Sequence, residues 1–472
     1  MANRHTQGNT PNFGWQRVKG PHHTTAYRVS RRGATVVASV IIAILVFLGT
    51  FAAATWADVS FAVAQQKVKV IQQKGAKAVD TTPVDPYANE VINILLVGQD
   101  TRDGEGNTAI GGDEADTQNL HNADTTMILQ ISADRKTVNL VSLPRDLMVS
   151  TPGCQTTNGE MPAQYSVQFN SIFANAYAQG GDVASAASCT MNEVNYLSGM
   201  NIQQFMVVDF GGLVNMINAI GGVDVCIPMY TRDGYTGIEL QPGTHHLDGT
   251  TATQYARMRH GTAADGSDTM RTTRQQYLIK QLIKTALSKN YFTQTSQLYQ
   301  LAKSALASVQ MSEGLADVGT LVGLATSLKD FDMNHMYSQT IPITAWTEDA
   351  NRSQLADGAD AVWKKLRNAQ PLVEQADTST DSTTTDNSTS TDGAAADGST
   401  STDGTQTDGA TSDGSTYNDK TGVITQADGT LIDAATGGTI DPETGAIRSA
   451  DTGQFIGLNN RYIEVTYCGV KY

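Results

Sequence analysis

The sequence predicts one α/β domain with a mixed sheet, placed outside the cell behind a single membrane-spanning helix. A charge-free apolar run of 23 residues lies near the N-terminus. Short apolar runs then alternate with helical periodicity through the middle of the chain, which favours an α/β or α+β domain of roughly 280 residues. A tract rich in Asp, Ser, Thr and Gly follows, and after it comes a short β-rich C-terminal segment. At 472 residues the chain can hold two or three domains.

The N-terminal region predicts a membrane anchor. Residues 1–33 form a basic, disordered leader with six Arg and Lys residues and no acid, and residues 34–56 carry no charge. As a helix, 34–56 would be about 35 Å long, enough to cross a hydrocarbon core. The positive-inside bias leaves the leader in the cytoplasm and the rest of the chain outside. A cleaved signal peptide is the alternative, and it exports the same residues.

A stalk and a folded body are predicted after the anchor. Residues 57–74 have apolar residues at helical spacing and a Pro/Asp break follows at 83–86, so we expect 57–86 to be a stalk that continues the membrane helix. Residues 87–372 form the predicted folded domain. Its strands are expected at 91–98, 125–132, 136–143, 205–210 and 222–227, with 239–246 as a further strand or hairpin arm. Its helices are expected at 169–179, 190–199, 211–219, 249–256, 269–289, 294–308, 314–328 and 354–368.

The C-terminal part of the chain changes character twice. Residues 373–416 read as a low-complexity linker, since 377–416 contain eight Asp and no basic residue. Residues 417–472 regain short β-arms separated by D-G and T-G turns, and Tyr462–Tyr467 is expected to be a strand. The formal net charge of −15 argues against non-specific nucleic-acid binding, which uses a broad basic surface.

Four cysteines follow the anchor, none in a C-x-x-C pair, so disulfides are favoured over zinc or thioredoxin chemistry. Three connectivities are possible. The favoured one joins Cys154 to Cys189, which brackets a local excursion, and Cys226 to Cys468, which ties the C-terminus to the body.

Four arginines within eighteen residues point to an anionic ligand in this acidic chain. Arg257 and Arg259 would share one face of an extended segment. Arg271 would share one side of a helix with Arg274 and Gln275. Because guanidinium groups match phosphate oxygens and stay charged, this pattern predicts a phosphate or diphosphate site.

Seven collinear stretches resemble the LytR-CpsA-Psr family, in its actinobacterial type. They are L-L-V-G-Q-D-T-R (95–102), A-D-T-T-M-I-L (123–129), V-S-L-P-R-D (141–146), F-N-S-I-F-A-N-A-Y (169–177), V-V-D-F-G-G-L-V-N-M-I-N-A-I-G-G-V-D-V (207–225), H-L-D-G-T-T-A-T-Q-Y-A-R-M-R-H (246–260) and D-T-M-R-T-T-R-Q-Q (268–276). The resemblance covers residues 90–285 and extends towards 370. It implies a single mixed-sheet α-β-α domain.

The resemblance also implies an activity. Members of this family are membrane-anchored phosphotransferases that move a glycopolymer from a polyprenyl diphosphate carrier to peptidoglycan, with Mg²⁺ or Mn²⁺ as cofactor. A polyprenyl diphosphate pyrophosphatase and a non-enzymatic regulator or scaffold of cell-wall synthesis are the alternatives.

The family pattern assigns roles to particular residues here. The expected catalytic residues are Arg257, Arg259, Arg271 and Asp268, with Asp268 activating the incoming hydroxyl or orienting an arginine. The expected diphosphate ligands are Arg145, Arg102, Gln275 and Arg274. The expected metal ligands are Asp100 and Asp124, since Mg²⁺ prefers a sparse set of carboxylates. The sequence departs from the family at Asn122 and Gln168, where members often carry basic residues.

Overall fold

A computed structural model describes residues 22–101, 121–262, 266–288, 303, 306–372, 409–410, 415–434, 436–450, 453 and 455–470. The chain forms two compact units, one ending at Asp58 and the other beginning at Val59. The predicted leader residues 1–21, the predicted ligand Arg102 and most of the linker 373–416 lie outside the described residues. So does most of the helix predicted at 294–308.

Helix α1 begins at His22 and ends at Gln65. It contains all of the predicted membrane span and also residues 22–33, which the sequence assigned to the disordered leader. The stretch Ser39–Gln65 is long and apolar enough to cross a membrane. Large apolar side chains between Val40 and Phe47 are more than half exposed, as a lipid-facing helix requires.

The second unit is built on a seven-stranded mixed sheet with the strand order β1-β14-β9-β2-β3-β4-β15. Its strands are β1 Lys67–Val68, β2 Ile92–Asp100, β3 Asn122–Ile131, β4 Val138–Leu143, β9 Gln204–Asp209, β14 Gln310–Ser312 and β15 Met336–Thr340. Strands β2, β3 and β4 pair antiparallel, whereas β9 lies parallel to β2, and β15 lies parallel to β4. The mixed sheet predicted from the sequence is confirmed.

Apolar cores cover both faces of this sheet. Along β2, Leu95 and Val97 belong to one core, while Ile92 and Ile94 belong to the other. This alternation follows from the period of two in a strand. The helices of the second unit are α2 Phe169–Gly180, α3 Val183–Ser198, α4 Phe210–Ala219, α5 Gly249–Arg257, α6 Asp268–Ser288, α7 Val318–Ser327, α8 Ala359–Arg367 and α9 Asn460–Cys468. Residues of α2, α3 and α8 enter the first core and residues of α7 enter the second, so the α-β-α arrangement is confirmed.

Short hairpins surround the sheet. They are formed by β5 Met148–Thr151, β6 Cys154–Thr156, β7 Gly159–Met161, β8 Gln164–Gln168, β10 Val223–Ile227, β11 Thr231–Asp233, β12 Ile238–Leu240, β13 Gly243–Leu247, β16 Ile343–Ala345 and β17 Ser353–Leu355. A third core packs β10 and β13 against α5 and α6, which fixes these two helices beside the sheet.

The prediction of a stalk over 57–86 is wrong beyond the end of α1. Strand β1 pairs with β14, where Lys67 lies opposite Met311, and Val63 and Val70 are buried in the two main cores. Pairing with a strand more than two hundred residues away leaves no local sequence signal. This stretch is therefore part of the folded unit.

The C-terminal segment forms its own antiparallel sheet, with the strands in sequence order. They are β18 Gly409–Ala410, β19 Thr416–Asn418, β20 Val423–Thr425, β21 Leu431–Asp433, β22 Thr439–Ile440, β23 Ala446–Arg448 and β24 Phe455–Leu458. The predicted strand Tyr462–Tyr467 is wrong, because these residues lie in α9, which Asn459 caps by accepting from the Tyr462 N–H. Both predicted disulfides, Cys154–Cys189 and Cys226–Cys468, are confirmed.

Candidate active site

The candidate site lies where α6 begins, beside the ends of β3 and β4. Asp268 is the first residue of α6, where the helix dipole favours a negative charge. Asp124 lies in β3 at a register shift opposite the Gly98–Gln99 bond, and such bulges redirect side chains. Arg145 follows β4 directly after Pro144. Three separate elements therefore bring charged side chains to one place.

Two aspartates and two arginines form a closed ionic cluster there. Asp124 accepts from Arg145 Nη1 at 3.0 Å and from Arg271 Nη1 at 3.3 Å, one on each carboxylate oxygen. Asp268 Oδ1 lies 2.5 Å from Arg271 Nη2 and 3.3 Å from Arg145 Nε. The backbone N–H of Arg145 also donates to Asp268 Oδ2 at 3.2 Å. We call these four residues the Asp–Arg quartet.

The opposite charges in the quartet shift the pKa values of Asp124 and Arg145. Burial raises the pKa of Asp124, but the nearby Arg271 and Arg145 guanidinium groups outweigh this effect and leave that pKa below its usual value. Burial likewise opposes the charged form of Arg145, yet Asp124 and Asp268 raise its pKa overall. These directions favour the charged forms of both Asp124 and Arg145 at neutral pH.

Arg259 adds a further positive charge beside the quartet. Its side chain makes no hydrogen bond or ion pair with the residues that the structure describes, and its Nε is buried. Burial lowers the pKa of Arg259 and the neighbouring Arg145 and Arg271 lower it further, which outweighs the opposite effect of Asp268 and Asp124. A half-buried guanidinium without a directly bonded counter-ion costs free energy unless an anion binds it. This arrangement is suited to binding a phosphate.

The segment that carries Arg259 does not have the extended conformation predicted from the sequence. Arg257 is the last residue of α5 and Met258 is its C-cap, so the expectation that Arg257 and Arg259 share an extended segment is wrong. The Arg257 guanidinium lies 4.4 Å from the ring centre of Phe210, the first residue of α4. Asp233 accepts from the backbone N–H groups of Arg259 and His260, both at 3.2 Å.

Arg274 and Gln275 contact this segment as well. Arg274 Nη1 donates to the Met258 carbonyl at 2.9 Å, and Gln275 Nε2 donates to the Ala256 carbonyl at 3.2 Å. These carbonyls end α5 and would otherwise lack helical partners. In this arrangement both side chains position the Arg257–Arg259 turn, and their direct contact with a diphosphate stays a prediction.

The two predicted metal ligands lie on neighbouring strands. Asp100 ends β2 opposite Asn122 in β3, two residues before Asp124. Among the described residues no group of three or more His, Cys, Asp or Glu side chains is placed to hold a metal. Two carboxylates nevertheless fit Mg²⁺, which is often held by one or two carboxylates together with substrate phosphates.

Some site residues were missed at the sequence level. Asp146 follows Arg145 and contacts Ser353 Oγ at 3.4 Å, and burial followed by the charge of Asp268 raises its pKa. The V-S-L-P-R-D stretch contained Asp146, but only its arginine was selected. Asp233 lies in β11, far from any chemical motif, and nothing in its local sequence marks it.

Comparisons with known proteins identify the family to which the chain is similar. The sequence model of the LytR_cpsA_psr family matches residues 57–368. The chain is 28% identical over 270 residues to cell wall biosynthesis protein LcpA of Corynebacterium glutamicum, covering 55% of this chain and 51% of that protein. It is 30% identical over 202 residues to the polyisoprenyl-teichoic acid–peptidoglycan teichoic acid transferase TagU of Enterococcus faecalis, covering 43% and 55%. The chain thus spans about half the length of these relatives.

A similar solved structure is a LytR-Csp2A-Psr enzyme from Actinomyces oris. It shares 18% identity with this chain, covers 63% of it and 94% of its own chain, and superposes with a TM-score of 0.43.

Proposed function

This chain belongs to the LytR_cpsA_psr family, and we propose that it is a membrane-anchored phosphotransferase acting outside the cell. It moves a glycopolymer from a polyprenyl diphosphate carrier to peptidoglycan. The observation that carries the proposal is Arg259, a half-buried cation without a described partner beside the Asp–Arg quartet. The names of relatives that transfer teichoic acid to peptidoglycan support the same class of reaction.

The reaction follows from the charges of the site. A hydroxyl of the acceptor attacks the phosphorus that carries the glycan, a new P–O bond forms, and the bond to the lipid phosphate breaks. The hydroxyl proton passes to solvent, and polyprenyl phosphate leaves with the electron pair of the broken bond. Arg259 would neutralise charge that develops on the phosphoryl oxygens, the kind of stabilisation that commonly contributes most to such reactions.

Within the quartet, the two aspartates set the positions of Arg145 and Arg271. Asp268 is almost fully buried and contacts both Arg145 and Arg271, which supports the orienting role over activation of the incoming hydroxyl. Mg²⁺ held by Asp100, Asp124 and the diphosphate would neutralise further negative charge on the substrate. The protein groups would place the diphosphate so that Arg259 faces it.

The membrane anchor fits this substrate. The apolar stretch Ser39–Gln65 would keep the enzyme at the surface where a polyprenyl carrier resides. We propose that the N-terminus lies in the cytoplasm and the site outside, which the basic residues before the span support through the positive-inside bias.

The test follows release of polyprenyl phosphate from a short-chain, sugar-linked polyprenyl diphosphate by the full chain in detergent. We expect release to require Mg²⁺ and to fall at least about 100-fold in Arg259→Ala, the loss typical for one transition-state donor. Arg352→Ala is the matched control, because Arg352 is partly exposed and, among the described side chains, pairs with Asp349. Equal release by Arg259→Ala and wild type would contradict the assignment.

An acceptor distinguishes transfer from hydrolysis. Addition of peptidoglycan should divert the product from free glycan phosphate to a conjugate. If free glycan phosphate remains the product, the same site is that of a pyrophosphatase. If no release occurs although the donor binds, the regulator or scaffold is favoured.

A further inference from the structure

Arg259 differs from two other arginines of the site in what holds it in place. The guanidinium groups of Arg145 and Arg271 are each fixed by ion pairs with the two aspartates of the quartet. The Arg259 side chain makes no hydrogen bond or ion pair with the residues that the structure describes. The position of its guanidinium group therefore depends on the backbone that carries it.

One buried carboxylate binds that backbone directly. Asp233, the last residue of β11, is 1% exposed. Its Oδ2 accepts from the backbone N–H groups of Arg259 and His260, both at 3.2 Å. Its Oδ1 accepts from the Tyr235 N–H at 2.8 Å, which fixes the carboxylate within its own turn. The two oxygens of one side chain thus join the β11–β12 hairpin to the segment that carries Arg259.

The hairpin and this segment also pair next to Asp233. The Arg232 N–H donates to Thr262 Oγ1 at 2.8 Å, and the Thr262 N–H donates to the Arg232 carbonyl at 3.0 Å. Gly261 has a φ of +90°, and a Cβ there would lie 1.9 Å from the Arg232 carbonyl oxygen. Because only glycine permits this approach, residues 259–262 can lie directly against the end of β11.

The residue before Arg259 is held by a different element. Arg274 in α6 donates to the Met258 carbonyl at 2.9 Å. This bond fixes the end of α5, whereas Asp233 bonds to the backbone N–H of Arg259 itself. The direction in which the Arg259 side chain leaves the backbone therefore depends on Asp233.

A purely local role for Asp233 does not account for these contacts. An aspartate in a turn commonly accepts from the backbone N–H two residues further on, and the bond from Tyr235 is of this kind. That turn uses Oδ1. The second oxygen accepts from a segment that the fold brings to the hairpin, and this segment carries Arg259.

We propose that Asp233 is a positioning residue for the reaction, because its bonds to the backbone fix the direction in which Arg259 meets the phosphate. This inference rests on the proposed function, since Asp233 acts through Arg259. A shift of about 1 Å in a group that stabilises a transition state can lower turnover by about 100-fold. Loss of Asp233 should therefore resemble loss of Arg259 although the arginine is still present.

A double-mutant cycle tests this assignment with two measurements on the full chain in detergent. They are the affinity for inorganic pyrophosphate and the kcat for release of polyprenyl phosphate from the sugar-linked donor. Asp233→Ala should weaken pyrophosphate binding about ten-fold and lower kcat by about 10–100-fold. In the Arg259→Ala background the same change should have no further effect, since residues that act through one group are not additive. A structural role alone would lower both quantities in both backgrounds.

A conservative pair of variants keeps the test decisive if Asp233→Ala does not fold. Asp233→Asn preserves the volume of the side chain but leaves one acceptor oxygen for N–H groups on two sides. Glu239→Gln is the matched control, because Glu239 is an exposed carboxylate in β12 of the same hairpin. Removal of a negative charge on its own would strengthen the binding of an anion. We therefore expect weaker pyrophosphate binding and a lower kcat in Asp233→Asn, and neither loss in Glu239→Gln.

The outcomes separate this assignment from the proposed function. Equal losses from Asp233→Ala in the two backgrounds, or wild-type values in Asp233→Asn, would overturn the positioning role and leave the proposed function standing. A wild type that shows the expected cycle for pyrophosphate but releases no polyprenyl phosphate would overturn the proposed function, while the positioning of Arg259 by Asp233 would stand. Absence of both binding and release would overturn both.

Discussion

Helix α6 contributes to two buried carboxylate clusters. They differ in whether a neighbouring cation is left without a hydrogen-bonded partner. At its N-terminal end the quartet balances two aspartates against two arginines, and Arg259 adds a cation that the described residues do not neutralise. Three turns later, Glu464 of α9 accepts from Gln281 Nε2 at 2.5 Å and from the Tyr277 hydroxyl at 3.4 Å. Lys284 Nζ completes this second cluster at 3.5 Å from Glu464.

The difference separates a binding role from a structural one on the same helix. The Glu464 cluster joins α6 to the C-terminal segment, and the Cys226–Cys468 disulfide ties the same two regions together. Tyr277 also accepts from the Cys226 N–H at 2.9 Å. The C-terminal segment holds one half of α6 in place. The other end of this helix can therefore keep Arg271 close to Arg145 despite their like charge.

The largest effect is expected from Asp268→Ala. It leaves Arg145 and Arg271 without one of their two carboxylates, and breaking a buried ion pair from one side costs about 3–5 kcal/mol. Urea unfolding should show this loss, and lipid phosphate release should disappear. Asp330→Ala, at an exposed position, is the control for both measurements. Unchanged stability would mean that the quartet does not form.

Arg259→Ala should affect activity and spare stability. Arg259 has no described side-chain partner and lies near two other arginines, so its removal relieves repulsion. We expect a loss of about 100–1,000-fold in turnover, equivalent to ~2.7–4 kcal/mol, with an unfolding midpoint at or above that of wild type. A marked drop in that midpoint would place Arg259 with the structural residues instead.

Glu193 provides a carboxyl with no cationic partner among the described side chains. It is fully buried in α3, and burial raises its pKa from 4.5 to about 7 despite a contact with Thr151. The folded state therefore favours the neutral form. Stability from this group is complete below pH 4.5 and is lost as the pH rises to about 7.

Glu193→Gln should consequently stabilise the protein near pH 8 by about 3 kcal/mol, at ~1.4 kcal/mol per pKa unit for a pKa raised from 4.5 to about 7. The same variant should have little effect near pH 4. The check is the free energy of unfolding of both proteins at the two pH values. An equal effect at both would show that Glu193 is not neutralised by folding.

Glu464→Ala should give the smallest loss and confine it to stability. The substitution leaves the buried Gln281 and Tyr277 groups without their acceptor, which costs about 1–3 kcal/mol. Activity per folded molecule should be preserved. Glu348→Ala, at an exposed site, serves as control. If turnover falls with stability unchanged, the C-terminal segment acts on the reaction itself.

The sequence predicted those features that depend on local pattern. The buried strand β2 and the helix that begins at Asp268 were predicted correctly. Both disulfides were also predicted correctly, although one of them joins residues far apart in the chain. Partners brought together by the fold could not be found this way. Arg271 and Arg274 are both arginines and lie three residues apart in α6. Arg271 nevertheless contacts Asp124, whereas Arg274 donates to the Met258 carbonyl.

The errors have a similar physical cause. Tyr462–Tyr467 has the β-branched and aromatic residues of a strand, but the Asn459 cap and burial of Ile463 and Glu464 against the body stabilise a helix. Strand β1 exists through pairing with β14. Both outcomes depend on contacts with residues remote in the chain.

The central claim is that the site transfers a glycan-linked phosphate to peptidoglycan. The most direct measurement gives the full chain, Mg²⁺, a labelled polyprenyl diphosphate glycan and purified peptidoglycan, and counts label bound covalently to the wall polymer. We predict labelled peptidoglycan with wild type and at least a 100-fold decrease with Arg259→Ala. Label that appears only as free glycan phosphate, or equal labelling by both proteins, would contradict the account.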